Sequence, residues 1–166
     1  MNTIEFKPLT QADLVEVKRI YDYYILNSTA TFHTEPVGID ELALAIPLAH
    51  SRYASFLILC NGQVAGYCYS TYYKNRQAYN RTAEVTIYLL PEFAGKGIGK
   101  LALKRMEAAS LEKGIVVLLG VISGENVESI ALFSKMGYEQ CANFKRVGEK
   151  FGRLLDVVVY QKELQP

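Results

Sequence analysis

The period at which apolar residues recur changes from segment to segment, and those changes mark out the elements. The short run "TIEFKPL" predicts a first strand. Thr10 and Asp13 have the spacing of a capping box, and Leu14, Val17, Tyr21 and Tyr24 then recur at helical intervals, predicting a helix with one apolar face. "VGIDELALAIPLAHSR" predicts a second helix that is interrupted or ends near Pro47, where a backbone donor is lost. Two strand-like runs, "YASFLILC" and "QVAGYCYSTYY", flank Asn61 and Gly62, the pair that best suits a two-residue turn with positive φ, so they predict a hairpin.

The irregular stretch "KNRQAYNR" leads to another strand, "AEVTIYLL". After a glycine-rich turn, Ala102, Leu103, Met106 and Ala109 are spaced for one face of a helix. "IVVLLGVI" then reads as a buried strand covered on both faces and, being reached through a helix, parallel to the strand before it. A helix around "VESIALFSKMG" places Ile130, Phe133 and Met136 on one side, and "YEQCANFKRV" and "LLDVVVYQKEL" close the chain as two strands. The class is α+β with a mixed sheet. No repeat, low-complexity tract or linker divides residues 1–166, so one domain is expected.

The turn "LLPEFAGKGIGKLALKRM" joins a strand to a helix through Gly95, Gly97 and Gly99. The first N–H groups of a helix have no intrahelical partner, and glycines let an anion approach them, so phosphate is the natural occupant. Two better-known phosphate loops do not fit. A dinucleotide-binding G-x-G-x-x-G starting at Gly95 needs glycine where Lys100 stands, and a P-loop needs glycine at Ala94 and Ser or Thr at Leu101. By these residues alone the turn is equally well a glycine-rich connector with a basic face.

Composition narrows the partners. With 18 Lys plus Arg against 17 Asp plus Glu, nothing in the overall charge favours nucleic acid or an anionic membrane. Cys60, Cys68 and Cys141 lack metal-ligand spacing and sit among apolar residues, so buried free thiols in a reducing compartment are expected and no metal is. "MNTIEFKPLT" has no signal-peptide core and no apolar run is long enough to span a bilayer, so a cytoplasmic location is expected.

Five strings, "IYDYYILNSTATFHTEP", "NGQVAGYCYS", "YKNRQAYNRTAEVTIYLLPEFAGKGIGKLAL", "NVESIALFSKMGY" and "VGEKFGRLLDVVVYQ", resemble in the same order the GNAT superfamily of acetyl-CoA-dependent N-acetyltransferases, and within it the phosphinothricin N-acetyltransferase-like branch. The resemblance runs over nearly the whole chain. It implies a mostly antiparallel sheet flanked by helices, whose parallel fourth and fifth strands splay to admit the pantetheine arm of acetyl-CoA. It also implies that Gly95, Lys96, Gly97, Ile98, Gly99 and Lys100 surround the pyrophosphate, that the backbone of Ile87, Tyr88 and Leu89 binds the pantetheine and polarises the thioester carbonyl, and that Asn126 and Ser129 contact the arm. Asn126 by itself reads as a helix cap. Two departures stand out: Ala94 replaces the Arg or Gln common before the first glycine, and Phe133 replaces the Tyr or His that protonates the leaving thiolate.

Glu84 stands near the start of an apolar strand, where burial would raise its pKa toward the range useful for accepting a proton, and it matches the branch's strand glutamate. The resemblance makes it the base that deprotonates the acceptor amine. For the acceptor, Arg76 offers a carboxylate a fork of donors and Tyr73 and Tyr79 could wall a small pocket. Lys74 and Glu35 match the branch's substrate positions, and Lys150 its final hairpin, which in relatives approaches the active site or a dimer partner. His33 falls at a variable position and reads as an exposed polar residue. The function implied is acetylation of the α-amino group of a small amino acid or analogue of the phosphinothricin, methionine sulfoximine or methionine sulfone type, with a homodimer as the assembly. Acetylation of another amine, such as a polyamine or peptide N-terminus, and a non-catalytic acyl-CoA-binding domain are the alternatives.

Overall fold

The computed structural model describes residues 1–166. In chain order its elements are β1 (Ile4–Pro8), α1 (Leu14–Asn27), α2 (Ile39–Ala45), β2 (Ser55–Cys60), β3 (Gln63–Tyr72), β4 (Thr82–Leu89), α3 (Ile98–Glu112), β5 (Val117–Ser123), α4 (Val127–Lys135), β6 (Glu139–Lys150) and β7 (Arg153–Glu163). The strands form one sheet in the order β1-β2-β3-β4-β5-β7-β6. Every neighbouring pair is antiparallel except β4 and β5, giving the expected mixed α+β sheet.

Local chemistry sets the element ends. The Thr10 N–H donates to Asp13 Oδ2 at 2.9 Å, half of a capping box ahead of α1. α2 stops at Ala45, two residues before Pro47. Asn61 and Gly62 take φ of 51° and 81°, and Cys60 pairs directly with Gln63, so the two-residue turn sets the register of the β2–β3 hairpin. A register shift between Ile58 and Leu59 interrupts the β2–β3 ladder, and on its other side β3 runs close to β4: a Cβ on Gly66 would lie 2.2 Å from the Tyr88 carbonyl oxygen. Only glycine fits there.

Alternation along the strands divides the core between the two sheet faces. Phe56, Ile58, Cys68 and Val85 pack with Ile98, Leu103 and Met106 of α3 and Phe133 of α4. Leu57 and Tyr67 point the other way, onto Leu14, Val17 and Ile20 of α1 and Leu42 of α2. Fully burying each large aliphatic side chain contributes about 1.5–3 kcal/mol, so both helical layers are held mainly by these faces.

The feature that positions the site is a partial pairing. β4 meets β5 only where Thr82, Ala83 and Glu84 oppose Val117, Leu118 and Leu119, while β5 stays paired with β7 through Ser123. From Val85 to Leu89 the facing edge of β4 has no strand beside it, and a wedge opens. Two expectations need correction. β5 is not covered throughout, because Val121 is 44% exposed where it faces the wedge. Cys141 is not buried: it lies on β6, the outermost strand, and only Cys60 and Cys68 are core thiols. No helix is long and apolar enough to cross a membrane.

Candidate active site

The wedge holds a cavity of about 780 Å³, walled by β4 from Val85 to Leu89, by Val121 and Ile122 of β5, and by one side of α4. Its far end is the glycine turn. α3 begins at Ile98 with Gly97 as N-cap in the left-handed region, φ 81°, and Gly95 has φ 73°. The first intrahelical bond runs from Leu101 N–H to the Gly97 carbonyl at 3.3 Å, so the N–H groups before it are free to meet an anion. A Cβ on Gly95 or Gly97 would meet nothing within 4 Å, which leaves the space in front of the turn open. Gly95, Gly97, Gly99 and Lys100 line the cavity. Lys96 and Ile98, expected with them, do not: Lys96 lies over the Phe93 ring at 5.7 Å, and the Ile98 side chain is in the core.

Backbone direction explains what β4 offers to the wedge. The Tyr88 carbonyl faces Gly66 of β3, and the Leu90 N–H donates to Ala65 O at 2.8 Å. By the alternation of an antiparallel strand, the peptide groups of Leu89, and of Ile87 before it, point into the wedge. The Tyr24 hydroxyl donates to the Leu89 carbonyl, leaving the Leu89 N–H as the donor at the open end of β4, beyond the last β4–β5 pair at Glu84. Across the cavity Asn126 caps α4, accepting from Ser129 N–H at 3.2 Å, and both residues line the wall.

Glu84 is the last β4 residue to pair with β5, opposite Leu119, and it stands beside Thr71 of β3. Its side chain shares a sheet face with Thr86 and Tyr88 and with Tyr67 and Tyr69 across the strand. Burial raises its carboxyl above the usual glutamate range. Tyr88 is the centre of an aromatic cluster, with ring centroids 5.1 Å from Tyr24, 5.6 Å from Tyr21 and 5.6 Å from Tyr67. Burial pushes Tyr24 and Tyr69 up to about 12, and Tyr67 and Tyr88 upward as well. These phenols stay neutral and put no second negative charge beside Glu84.

Beyond the tyrosines lies a second cavity of about 200 Å³, walled by Tyr21, Tyr67 and Tyr69 and by Val37, Leu42 and Ile46, with His33 and Glu41 at its edge. His33 is exposed, as expected, but it is not free of partners. Its Nδ1 is hydrogen-bonded to the Tyr21 hydroxyl, which is also 2.6 Å from Thr31 Oγ1. Sequence reasoning placed Tyr21 and Tyr24 on the helix but gave them no role. The available signal was a tyrosine pair at helical spacing facing another, Tyr67 and Tyr69, at strand spacing.

Glu84 itself lines neither cavity, and the remaining expected residues also fall outside both. Tyr73, Lys74 and Arg76 are exposed on the β3–β4 connection, and Tyr79 closes it. Tyr73 and Tyr79 meet edge to face at 5.5 Å with the Lys74 ammonium 5.5 Å from the Tyr73 ring. This loop is at the Glu84 end of β4. Glu35 is exposed on the segment after α1. Lys150 departs most from expectation: it is 3% exposed, and its ammonium is spent on the carbonyls of Ser28 and Thr31 at 2.6 and 2.8 Å rather than presented to an acceptor. Phe133 sits against Gly120, where a Cβ would come within 2.7 Å of its ring, and offers the cavity only carbon.

A wedge between parallel strands, with free strand amides along one edge and a glycine turn on a helix N-terminus at its wide end, defines an acyl-CoA-dependent transferase fold. The acetyltransferase (GNAT) family model matches residues 17–138. The chain is 31% identical to phosphinothricin N-acetyltransferase of Streptomyces viridochromogenes over 98% of this chain and 88% of that one. It is 27% identical to the L-methionine sulfoximine/L-methionine sulfone acetyltransferase of Pseudomonas aeruginosa over 93% and 91%. A phosphinothricin acetyltransferase of Sinorhizobium meliloti, solved with acetyl-CoA, superposes with a TM-score of 0.87 at 34% identity, covering 98% of this chain and 88% of that one. The chain belongs to the GNAT acetyltransferase family: it is an N-acetyltransferase with acetyl-CoA as co-substrate.

Proposed function

We propose that the protein acetylates the α-amino group of a small amino acid or analogue, of the phosphinothricin, methionine sulfoximine or methionine sulfone type, by direct attack in a ternary complex. The observation that carries the reading is Glu84, a carboxyl raised by burial at the point where the β4–β5 wedge opens beside the tyrosine-lined cavity. Such a group accepts the ammonium proton, directly or through water, and leaves the neutral amine that acyl transfer requires.

Acetyl-CoA supplies the activated acetyl thioester. The turn from Gly95 to Lys100 holds its pyrophosphate through free N–H groups and the Lys100 charge, with no side-chain donor from Ala94. Strand amides of Ile87 and Leu89, the cap Asn126 and Ser129 in the first turn of α4 hold the pantetheine arm, and the Leu89 N–H stabilises the developing oxyanion. Phe133 has no proton to donate, so protonation of the leaving sulfur falls to solvent. No cysteine lines the cavity, which favours direct attack over an acyl-cysteine route. The acceptor sits on the Glu84 face of the sheet, on the side of the tyrosine-lined second cavity, and Arg76 anchors its carboxylate from the loop at the Glu84 end of β4, with Tyr73, Lys74 and Tyr79 on the same loop and Glu35 assigned to the acceptor by the resemblance.

The test is thiol release from acetyl-CoA against phosphinothricin, methionine sulfoximine, methionine sulfone, the common amino acids and several polyamines. Selective turnover of carboxylate-bearing amines supports the reading, and turnover of polyamines alone refutes it. Arg76→Ala should raise KM for a carboxylate-bearing acceptor by about tenfold, the loss of one charge-assisted contact, and leave any polyamine unaffected. We also propose one domain, a reducing cytoplasmic setting for the three free thiols, and a homodimer through the β6–β7 hairpin, where Phe144, Val147, Phe151 and Leu154 are exposed. Light scattering that returns the 18.6 kDa of a single chain would reject the dimer.

A further inference from the structure

Residues 28–31, which lead out of α1, are held at every position by a side chain from elsewhere. Lys150, the last residue of β6, donates to Ser28 O at 2.6 Å and to Thr31 O at 2.8 Å. The Thr29 hydroxyl donates to Glu125 Oε1 at 2.5 Å, and Glu125 also accepts from Arg153 at 2.6 Å. The Tyr88 hydroxyl donates to Ala30 O at 3.3 Å, and the Tyr21 hydroxyl is 2.6 Å from Thr31 Oγ1. A lysine buried to 3% exposure is costly unless its ammonium is bonded, and here it is bonded to two carbonyls. Both belong to this short segment.

The segment lies between the two cavities. Ala30 lines the wedge where acetyl-CoA is held. Thr31 fixes the Tyr21 hydroxyl, which is bonded in turn to His33, and Tyr21 and His33 belong to the second cavity. Glu125 precedes Asn126, the α4 cap on the wedge wall, so the same clasp touches the cofactor side through one neighbour and the acceptor side through another. Lys150 reaches neither cavity itself.

We propose that Lys150 is a positioning residue: by clamping the 28–31 segment between the cofactor wedge and the second cavity, it fixes the acceptor relative to the acyl group without touching the acceptor. The assignment rests on reading the second cavity as the acceptor's side of the site. It accounts for a buried cation that makes no contact with either cavity, and it gives the final hairpin a part in catalysis through backbone placement.

The test compares Lys150→Met, Lys150→Arg and Thr29→Val in steady-state kinetics, with acetyl-CoA affinity measured by calorimetry and Tm recorded for each. The amine used is whichever the unaltered protein turns over best. Lys150→Met should raise acceptor KM and lower kcat/KM by about tenfold or more while acetyl-CoA Kd stays within about threefold, and Lys150→Arg, which can still donate to both carbonyls, should recover most of the loss. Thr29→Val leaves the ammonium in place and loosens the same segment, so it should raise acceptor KM by a smaller factor. A lower Tm with unchanged KM in both variants overturns the proposal in favour of a purely structural lysine. A raised KM in Lys150→Met with no change in Thr29→Val overturns it in favour of direct contact with the acceptor. Should Lys150→Met not fold, Thr29→Val decides alone, because an unchanged KM there removes the clasp. If the preferred amine bears no carboxylate, the acceptor reading fails while the clasp is still tested.

Discussion

At Glu84 stability and function pull in opposite directions. Burial raises its folded pKa, so folding favours the protonated form: the contribution is present below the ordinary glutamate range and is lost as pH rises through the folded value. The proposed role as base needs the carboxylate. Activity should therefore fall as pH drops through a value above the ordinary ~4.3, and this acid limb should disappear in Glu84→Gln. That variant should lose about 10²–10⁴ in kcat, keep its acetyl-CoA Kd and gain thermal stability at neutral pH; pH–rate profiles, calorimetry and melting curves check each part. A kcat within about threefold of the original would remove Glu84 as the base. The burial of Glu84 is legible, because a single carboxylate in an apolar strand stands out within a few residues. The Tyr21–His33 contact is not legible, since Tyr21 lies on another element and the fold alone brings the two together. The setting of Lys150 is hidden for the same reason: a lysine in "GEKFGR" reads as a ligand contact, whereas the carbonyls it bonds belong to a segment far away in the chain. Apolar neighbours around Cys141 likewise say nothing of its strand lying outermost.

Among the elements, those written in local chemistry could be read directly. The Asn61–Gly62 hairpin, the end of α2 before Pro47 and the face of α3 each depend on residues close in sequence. The splay does not. It arises because β5 pairs with β7 along its whole length but with β4 at only three positions, a competition between strands far apart in the chain that only the family resemblance anticipated. The glycine turn allows a controlled experiment. Gly97 and Gly114 flank α3 with φ of 81° and 86°, and in both an added Cβ would meet nothing within 4 Å. Alanine at either should cost about 1–2 kcal/mol from the left-handed backbone. Only Gly97 lines the wedge, and its Cβ would point into the open space before the helix N-terminus. Gly97→Ala should therefore weaken acetyl-CoA binding by about tenfold, whereas Gly114→Ala should melt earlier by a similar amount with its Kd unchanged. Equal Kd values in the two variants would move the phosphate away from the turn.

The two hydrophobic clusters lie on opposite faces of one continuous sheet, so neither helical layer can leave without exposing strands that also support the other. Unfolding should then be a single transition, with tyrosine fluorescence and far-UV circular dichroism giving coincident urea curves. The wedge adds a second handle on the same cooperativity. Its walls come from β4, β5, α4 and the start of α3, with Ala30 from the segment after α1, so a ligand seated there bridges both faces of the sheet. Acetyl-CoA at about 100 times its Kd should stabilise the fold by about 2.7 kcal/mol, a Tm rise of roughly 5–10 °C for a chain of this length. Because the unit is cooperative, both probes should shift together. Two separated transitions, or a shift seen by one probe alone, would show that the layers unfold independently and that the wedge belongs to only one of them.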